Sequence, residues 1–431
     1  MVPLLRSLFA ITIGAVAALG AASAQDRPGG SPQRWLVQTS IGYSAVDTPE
    51  RSWLNGGLGK FRSDESDSAV AVDRMLIEYR GSITPTLFAQ IDVDATDGGS
   101  RDLDLVEAFL EWRPVPRSPA RHRVKVGAFY PRFSLENTDP GWESPFSISS
   151  SAINTWIAEE VKQLGVEWSM QQRLASGQSP HEFGMFAALF YGNDPTGTLL
   201  AWKGWGIHGR QTRLREQLPL PPLPQLEDGT RLREKQAPHA EPFLEIDHAP
   251  GYYAGIEWRY ARRASVQLAR YDNRADPTLA DDGQYAWKTY FDQLAVQISL
   301  PLDIGLMAQW MRGYTGMGSV ISVFGTRAVE NEFDASYLLL TRLFDRNRFT
   351  LRFDRFSVDD EDRLPNDDNN ESGHAVTLAF LREIRPGLRL AVEWTRLVSD
   401  RPARAYLGLD PGSTESILQA QLRWSLASGS R

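Results

Sequence analysis

Charged side chains recur at every second position in several short stretches of this sequence, and this spacing is the first feature that suggests a chemistry. Between Leu87 and Asp94, for example, the apolar residues Ile91 and Val93 alternate with Asp92 and Asp94. A two-residue period places the charged set on one face of a β-strand and the apolar set on the other. Eleven charged positions share this pattern: Asp92, Asp94, Lys125, Glu167, Glu257, Arg259, Arg352, Asp354, Arg389, Glu393 and Arg423.

A set of this kind predicts a water-filled interior. A closed protein core could bury so many charges only by pairing each of them, whereas a lumen leaves them hydrated. The sequence therefore predicts that these side chains line a pore. Because both signs are present, the set orients polar solutes without indicating a strong ion preference.

A second charged group lies in the long stretch 131–161, where the alternation stops after Tyr130 and resumes at Leu164. A connection of this length is unusual in a compact domain. In a wide barrel it has a natural use, because it can fold inward and narrow the lumen. We expect this constriction to be formed by Arg132, Glu136, Asp139 and Glu143, together with the run Ser147–Ser151.

Covalent chemistry is not indicated. The six His residues form no His-Glu-x-x-His pair, no Gly-x-Ser-x-Gly turn is present, and the chain has no Cys. The acidic stretch Asp359–Asp362 with Asp367 and Asp368 lacks the glycine of a calcium-binding loop and is interpreted as a hydrated surface loop. We expect no catalytic residue, no bound metal and no cofactor.

The elements that must position these side chains are short amphipathic strands. The fold class predicted is all-β, a transmembrane antiparallel barrel of about sixteen strands, with eighteen as an alternative if two more lie within residues 192–250. Short connections alternate with long ones, as in outer-membrane barrels with periplasmic turns and extracellular loops. The predicted strands are 34–46, 69–82, 86–95, 102–113, 122–130, 162–173, 181–191, 251–261, 264–273, 286–300, 303–314, 331–343, 348–357, 373–383, 387–398 and 414–426.

The first residues predict export from the cytoplasm. Arg6, the apolar run Leu8–Gly20 and the small residues Ala22 and Ala24 match a cleaved signal peptide over residues 1–24. A mobile tail over 25–33, a barrel over 34–426 and a C-terminal tail over 427–431 would follow, with 192–250 as a long extracellular excursion. The predicted location is the outer membrane of a Gram-negative bacterium, in contact with lipid and lipopolysaccharide. A net charge of −8 gives no indication of nucleic-acid binding.

One short motif resembles a known family. The stretch Lys125-Val-Gly-Ala-Phe-Tyr-Pro-Arg-Phe-Ser-Leu-Glu136, which enters the long loop, is similar to that of the phosphate-selective porin O and P family. The matching positions are Gly127, Pro131, Ser134 and Glu136. The resemblance implies a homotrimeric outer-membrane porin, a passive diffusion channel for small polar or anionic solutes.

The chain departs from that family in its lumenal charges. Phosphate-specific members use a ladder of Lys and Arg, whereas this chain has only six Lys and places four acidic residues on the predicted lumen face, namely Asp92, Asp94, Glu167 and Glu257. Two alternatives remain open. One is an outer-membrane barrel enzyme of the lipase type, which needs a Ser and a His together on the outer wall. The other is a secreted all-β carbohydrate-active protein.

Overall fold

Sixteen antiparallel strands close into a β-barrel in the computed structural model, which describes residues 33–67, 70–96, 103–174 and 179–428. Consecutive strands pair throughout, and the first strand pairs with the last, with Thr39 opposite Trp424. Closure leaves no unpaired strand edge. The strands are β1 Gln33–Asp47, β2 Val70–Thr84, β3 Leu87–Thr96, β4 Asp104–Trp112, β5 Ala120–Phe129, β6 Gln163–Arg173, β7 His181–Tyr191, β8 Gly251–Tyr260, β9 Ala264–Asp272, β10 Lys288–Leu300, β11 Ile304–Met317, β12 Val329–Phe344, β13 Asn347–Asp360, β14 Glu371–Arg385, β15 Leu388–Asp400 and β16 Gly412–Ser428.

The predicted sixteen-strand barrel is confirmed, and the eighteen-strand alternative is wrong. Residues 192–250 connect β7 to β8, and their strands are limited to a two-residue pair, Leu218–Pro219 with His239–Ala240, which lies outside the barrel sheet. A similar small pair joins Ala280–Asp281 to Gln284–Tyr285. The predicted signal peptide, nearly all of the tail over 25–33 and residues 429–431 lie outside the described residues.

The connections differ between the two ends of the barrel. At one end, β2–β3, β8–β9, β10–β11, β12–β13 and β14–β15 are joined by two or three residues. The long connections meet at the other, extracellular end. They carry the helices α1 Ala152–Glu160 and α2 Thr198–Trp202 and the 3₁₀ turns Trp53–Asn55, Glu65–Asp67, Pro224–Leu226 and Pro402–Leu407. Within the described ranges, no helix has the length and apolar character to cross a membrane.

The outer wall of the barrel is apolar. Leu164, Leu189 and Ile256 point outward and are 58%, 62% and 59% exposed, whereas the inward-facing Phe190 and Tyr253 are at most 1% exposed. Large apolar side chains left exposed around a closed barrel form the surface that contacts lipid. This belt disfavours the secreted soluble alternative.

Gly127 shows why the motif in β5 needs a glycine. Its φ is +139°, and a Cβ at this position would lie 2.3 Å from the carbonyl oxygen of Ala108 on β4. Only glycine allows the two strands to approach so closely in this conformation.

Candidate functional site: the barrel interior

The inner wall is covered by residues 130–162, here called the inner segment. All nine residues of α1 are buried, and the ring of Trp156 packs edge-on against Phe291 and Phe333 of the wall at 5.5 and 5.1 Å between centroids. The carbonyl oxygen of Phe133 accepts hydrogen bonds of 2.7 Å from the side chains of Gln293 and Gln309. The inner segment is thus fixed to the wall by both aromatic packing and hydrogen bonds.

Glu136 is fully buried where α1 begins. Its Oε1 accepts hydrogen bonds from the Ser151 backbone N–H at 2.7 Å and from the Asn154 amide at 2.8 Å. Its Oε2 lies 3.5 Å from Nη1 of Arg352 on β13. Glu136 therefore joins the start of α1 to the wall.

Arg352, Asp354 and Glu393 hold the serine run 147–151 against the wall. Arg352 donates to the carbonyl oxygens of Ser149 and Ser150, both at 2.8 Å, and pairs with Asp354 at 2.8 Å. Glu393 accepts from the backbone N–H groups of Ile148 and Ser149 at 2.6 and 3.1 Å. Because each charge has partners, burial does not leave it isolated.

Glu143 lies between two arginines of the wall. Its carboxylate is 2.8 Å from Nη1 of Arg74 on β2 and 2.5 Å from Nη1 of Arg423 on β16. Burial acts to raise the pKa of Glu143, but the opposing effects of Arg423 and Arg74 lower it to about 2. Close by, Asp139 lies 3.4 Å from Arg389 on β15. We call this group of two carboxylates and three guanidinium groups the clamp.

The other predicted wall residues also face the interior. Asp94 pairs with Arg74, and Glu167 accepts a 2.6 Å hydrogen bond from the Tyr253 hydroxyl. The remaining contacts are as follows: Asp92 accepts from Gln90, Lys125 lies over the rings of Phe109 and Phe129, Glu257 pairs with Arg259, and Arg132 lies over the ring of Phe186 while its carbonyl oxygen accepts from Gln267.

The degree of burial differs from the expectation of a water-lined wall. Seven of the eleven predicted residues are at most 6% exposed, because the inner segment covers them and supplies many of their partners: Asp92, Asp94, Glu167, Arg352, Asp354, Glu393 and Arg423. Only Lys125, Glu257, Arg259 and Arg389 are partly exposed. Most of these charged side chains of the wall therefore bind the inner segment, and the others are partly exposed.

An open cavity of about 610 Å³ remains on the side of the short turns, and we call it the vestibule. Pro131, Leu135 and Trp142 of the inner segment form part of its lining. Its charged lining comprises six basic and three acidic side chains, a formal net charge of +3: Arg80, Lys125, Arg132, Arg259, Arg262 and Arg263, against Glu107, Asp139 and Glu257.

Residues 193–213 form a second inner segment on the extracellular side. Trp202 and Trp205 are at most 1% exposed, and Trp202 packs edge-on against Trp287 at 5.1 Å. Glu160 binds the start of α2, accepting from the backbone N–H groups of Leu199 and Leu200 at 2.8 and 3.2 Å. The second segment is therefore tied directly to the first.

A buried ionic group reinforces this junction. Glu159 of α1 lies 2.5 Å from Nζ of Lys203 and 2.7 Å from Nε2 of His208. Burial lowers the pKa of His208 to about 4, although Glu159 opposes the shift. His208 is therefore neutral at pH 7, and the charge pair is Glu159 with Lys203.

Several of these residues are not predicted from the sequence. Arg74 lies on the polar face of β2 with Glu78 and Arg80, so the two-residue period could have identified it. Glu159, Glu160 and Lys203 lie in loops and short helices, where no period marks the buried face. The tertiary fold brings these residues together, and their spacing in the sequence does not reveal the contacts.

One group of carboxylates among the described residues has a spacing that could hold a cation. Single oxygens of Asp194, Glu245 and Asp247 lie within 4.8 Å of one another. Asp194 Oδ2 already accepts from the backbone N–H groups of Ile246 and Asp247. The Asp194 carboxylate therefore orders the backbone at Ile246 and Asp247 through hydrogen bonds that require no cation.

Solved outer-membrane proteins share this architecture. The outer membrane channel DcaP of Acinetobacter baumannii superposes with a TM-score of 0.52 at 12% identity, over 93% of this chain and 99% of that chain. A loop L8 deletion mutant of OmpT, an outer membrane protein of Vibrio cholerae, gives 0.51 at 9% identity, over 92% of this chain and 100% of that chain. The chain has the fold of an outer-membrane β-barrel.

The sequence comparisons add no narrower assignment. No protein-family model matches the sequence, and no curated protein matches it. At 9–12% identity the structural likeness concerns the fold alone. Membership of the phosphate-selective porin O and P family stays a prediction from the resemblance.

Proposed function

We propose that this barrel is a passive diffusion channel for small polar solutes and, among ions, for anions. The observation that carries the proposal is the vestibule, an open cavity inside the barrel with a formal net charge of +3. Fixed charges on a low-dielectric wall raise the local concentration of counter-ions and set which ions enter. No covalent step is required.

The proposed constriction is the clamp. Asp139 lines the vestibule and lies 3.4 Å from Arg389, and their side chains are 31% and 23% exposed, so this pair joins the vestibule to the buried part of the clamp. Passing solutes would meet Asp139 of the inner segment and Arg389 of β15, the two clamp side chains that are partly exposed. A carboxylate and a guanidinium group at the same narrow point orient polar solutes.

A second candidate is a barrel that stays closed until its extracellular side rearranges. The burial of residues 193–213 favours it, because Leu199, Trp202 and Arg213 are fully buried. In this version residues 192–250 act as a plug, and conduction requires their displacement.

A homotrimer follows from the family resemblance, and contact with lipid and lipopolysaccharide follows from the exposed apolar belt. For the lipase-type alternative, no hydrogen bond among the described residues joins a Ser hydroxyl to a His ring. A fluorogenic ester assay on the folded protein tests that alternative directly.

The test of the channel is single-channel recording of detergent-purified mature protein in a planar bilayer. Stepwise currents support the open channel, and steps in groups of three support the trimer. Folded protein without conductance would contradict the open channel and favour the plugged barrel.

A further inference from the structure

The outer wall of β9–β15 carries charged side chains above the apolar belt, and we call this level the outer collar. It begins just above Trp310, Phe353 and Trp394, which are 41%, 46% and 37% exposed. Charge at this height lies beside the headgroups of the outer leaflet, because the long extracellular loops follow within a few residues.

Part of the outer collar is internally neutralised. Arg270 pairs with Asp292 at 2.8 Å, and Arg312 pairs with Glu332 at 2.8 Å. All four side chains are more than 40% exposed. Within each pair the opposite charges neutralise each other, so the two pairs present little net charge to the membrane.

Arg355, His374 and Arg396 differ from those pairs. Each is exposed, and within the described ranges neither arginine has an ion pair or a hydrogen bond. His374 makes a ring contact with Phe353, with centroids 6.3 Å apart. Among the described residues, the collar therefore contains two guanidinium groups without a protein partner.

The sheet register brings these three residues together. Arg355 on β13 lies directly opposite His374 on β14. Arg396 on β15 lies opposite Val376, the next outward-facing position of β14. Directly opposed Cβ atoms are about 4.5–5.5 Å apart and diagonal neighbours about 7–8 Å apart, which is within reach of long side chains.

A groove of about 620 Å³ opens at the same place on the outer wall. It is lined by Phe353, Arg355, His374 and Val398, with Asp400 and Thr414 at its extracellular side. Asp400 is the acidic group facing the groove, and Asp334 of β12 is engaged by the Trp310 indole at 2.7 Å. The groove thus combines an apolar floor, the guanidinium group of Arg355 and one carboxylate acceptor. Arg396 lies beside the groove, opposite Val376 on the same outward face.

We propose that this groove binds the phosphorylated sugar headgroup of an outer-leaflet glycolipid, the lipid A part of lipopolysaccharide. Guanidinium groups bind phosphate by paired, charge-assisted hydrogen bonds. The acyl chains would extend along the apolar belt below Phe353, while Asp400 can accept a hydrogen bond from a sugar hydroxyl or amide. The apolar belt next to the cations selects a lipid over free phosphate.

The test measures binding of diphosphorylated lipid A to the full-length barrel in detergent, by native mass spectrometry and by titration. The variant Arg355→Gln/Arg396→Gln is compared with Arg270→Gln/Arg312→Gln, which removes the same charge from the same collar. We expect the first variant to bind about 10–100-fold more weakly and the control to bind within about threefold of the parent.

Three results would overturn the proposal. They are unchanged binding in Arg355→Gln/Arg396→Gln, an equal loss in the control, and full competition by millimolar inorganic phosphate. Folding of each variant is checked by heat-modifiable migration on a gel. If the Gln variant does not fold, the affinity of the wild-type protein is compared for lipid A with its phosphates and lipid A without them. Equal affinity for both would refute the site.

Discussion

The carboxylate of Glu143, carried by the inner segment, lies 2.5 Å from the guanidinium group of Arg423 on β16. Arg74 approaches the same carboxylate from β2 at 2.8 Å. One side chain of the segment thus joins two strands that lie on either side of β1, where the barrel closes.

Replacing Glu143 by Gln should loosen the clamp and lower stability. The change leaves two buried guanidinium groups without their shared counter-charge, and breaking a buried pair costs about 3–5 kcal/mol. Denaturant unfolding of the detergent-solubilised barrel measures the difference. The matched control is Glu257→Gln, whose partner Arg259 is 40% exposed and whose loss should cost no more than about 1 kcal/mol. An equal loss of stability in the two variants would contradict a stabilising role of the clamp.

The pH dependence of stability should contain a contribution from Glu160. Burial raises the pKa of this carboxyl to about 7, against the opposing hydrogen bonds from Leu199 and Trp156. An unfolded glutamate titrates near about 4.3, so the folded state holds the extra proton between these values and loses stability as pH rises through that window. In the variant Glu160→Gln, this loss of stability with rising pH should disappear. The measurement is the unfolding midpoint at pH values from 4.5 to 8. If the midpoint depends on pH in the same way in parent and variant, Glu160 is not the source of this pH dependence.

Removing residues 193–249, which include the second inner segment, should increase conductance. Phe190 of β7 lies opposite Gly251 of β8, so a short hairpin loop can replace residues 193–249 without moving either strand. We expect larger single-channel currents, because the buried residues around α2 no longer fill the extracellular half. Unchanged conductance in a folded deletion variant would show that the segment does not lie in the conduction path.

Gly127→Ala should destabilise the barrel. The new Cβ would meet the Ala108 carbonyl oxygen at 2.3 Å in a backbone conformation that costs a non-glycine residue about 1–3 kcal/mol. Gly184→Ala is the matched control, because its nearest neighbours lie at 3.4 Å or more. Refolding yield and unfolding midpoint are measured for both. A stable Gly127→Ala barrel would argue against the close approach of β4 and β5.

Much of the barrel was predictable because strands impose a period of two on the sequence. The alternation around Ile91 to Asp94 and the short turn after Thr84 identify strands and connections in this way. It also identified Asp354 and Glu393 as inward-facing residues.

The contents of the barrel were not predictable in the same way. Whether Glu393 faces water or binds the backbone of Ser149 depends on a loop whose path has no sequence period. The same holds for Glu160 and Leu199, which meet only because two separate connections turn inward. The excursion over 192–250 could be delimited from its flanking strands, but its burial depends on tertiary packing.

The reversal potential under a salt gradient tests most directly whether fixed positive charge in the vestibule selects anions. In planar bilayers with asymmetric KCl, the wild-type channel should show a reversal potential of the sign for chloride preference. The variant Arg132→Gln/Arg259→Gln/Arg263→Gln should shift it toward zero, while Arg270→Gln on the outer wall should leave it unchanged. Potassium preference in the wild type, or an unshifted triple variant, would contradict the account.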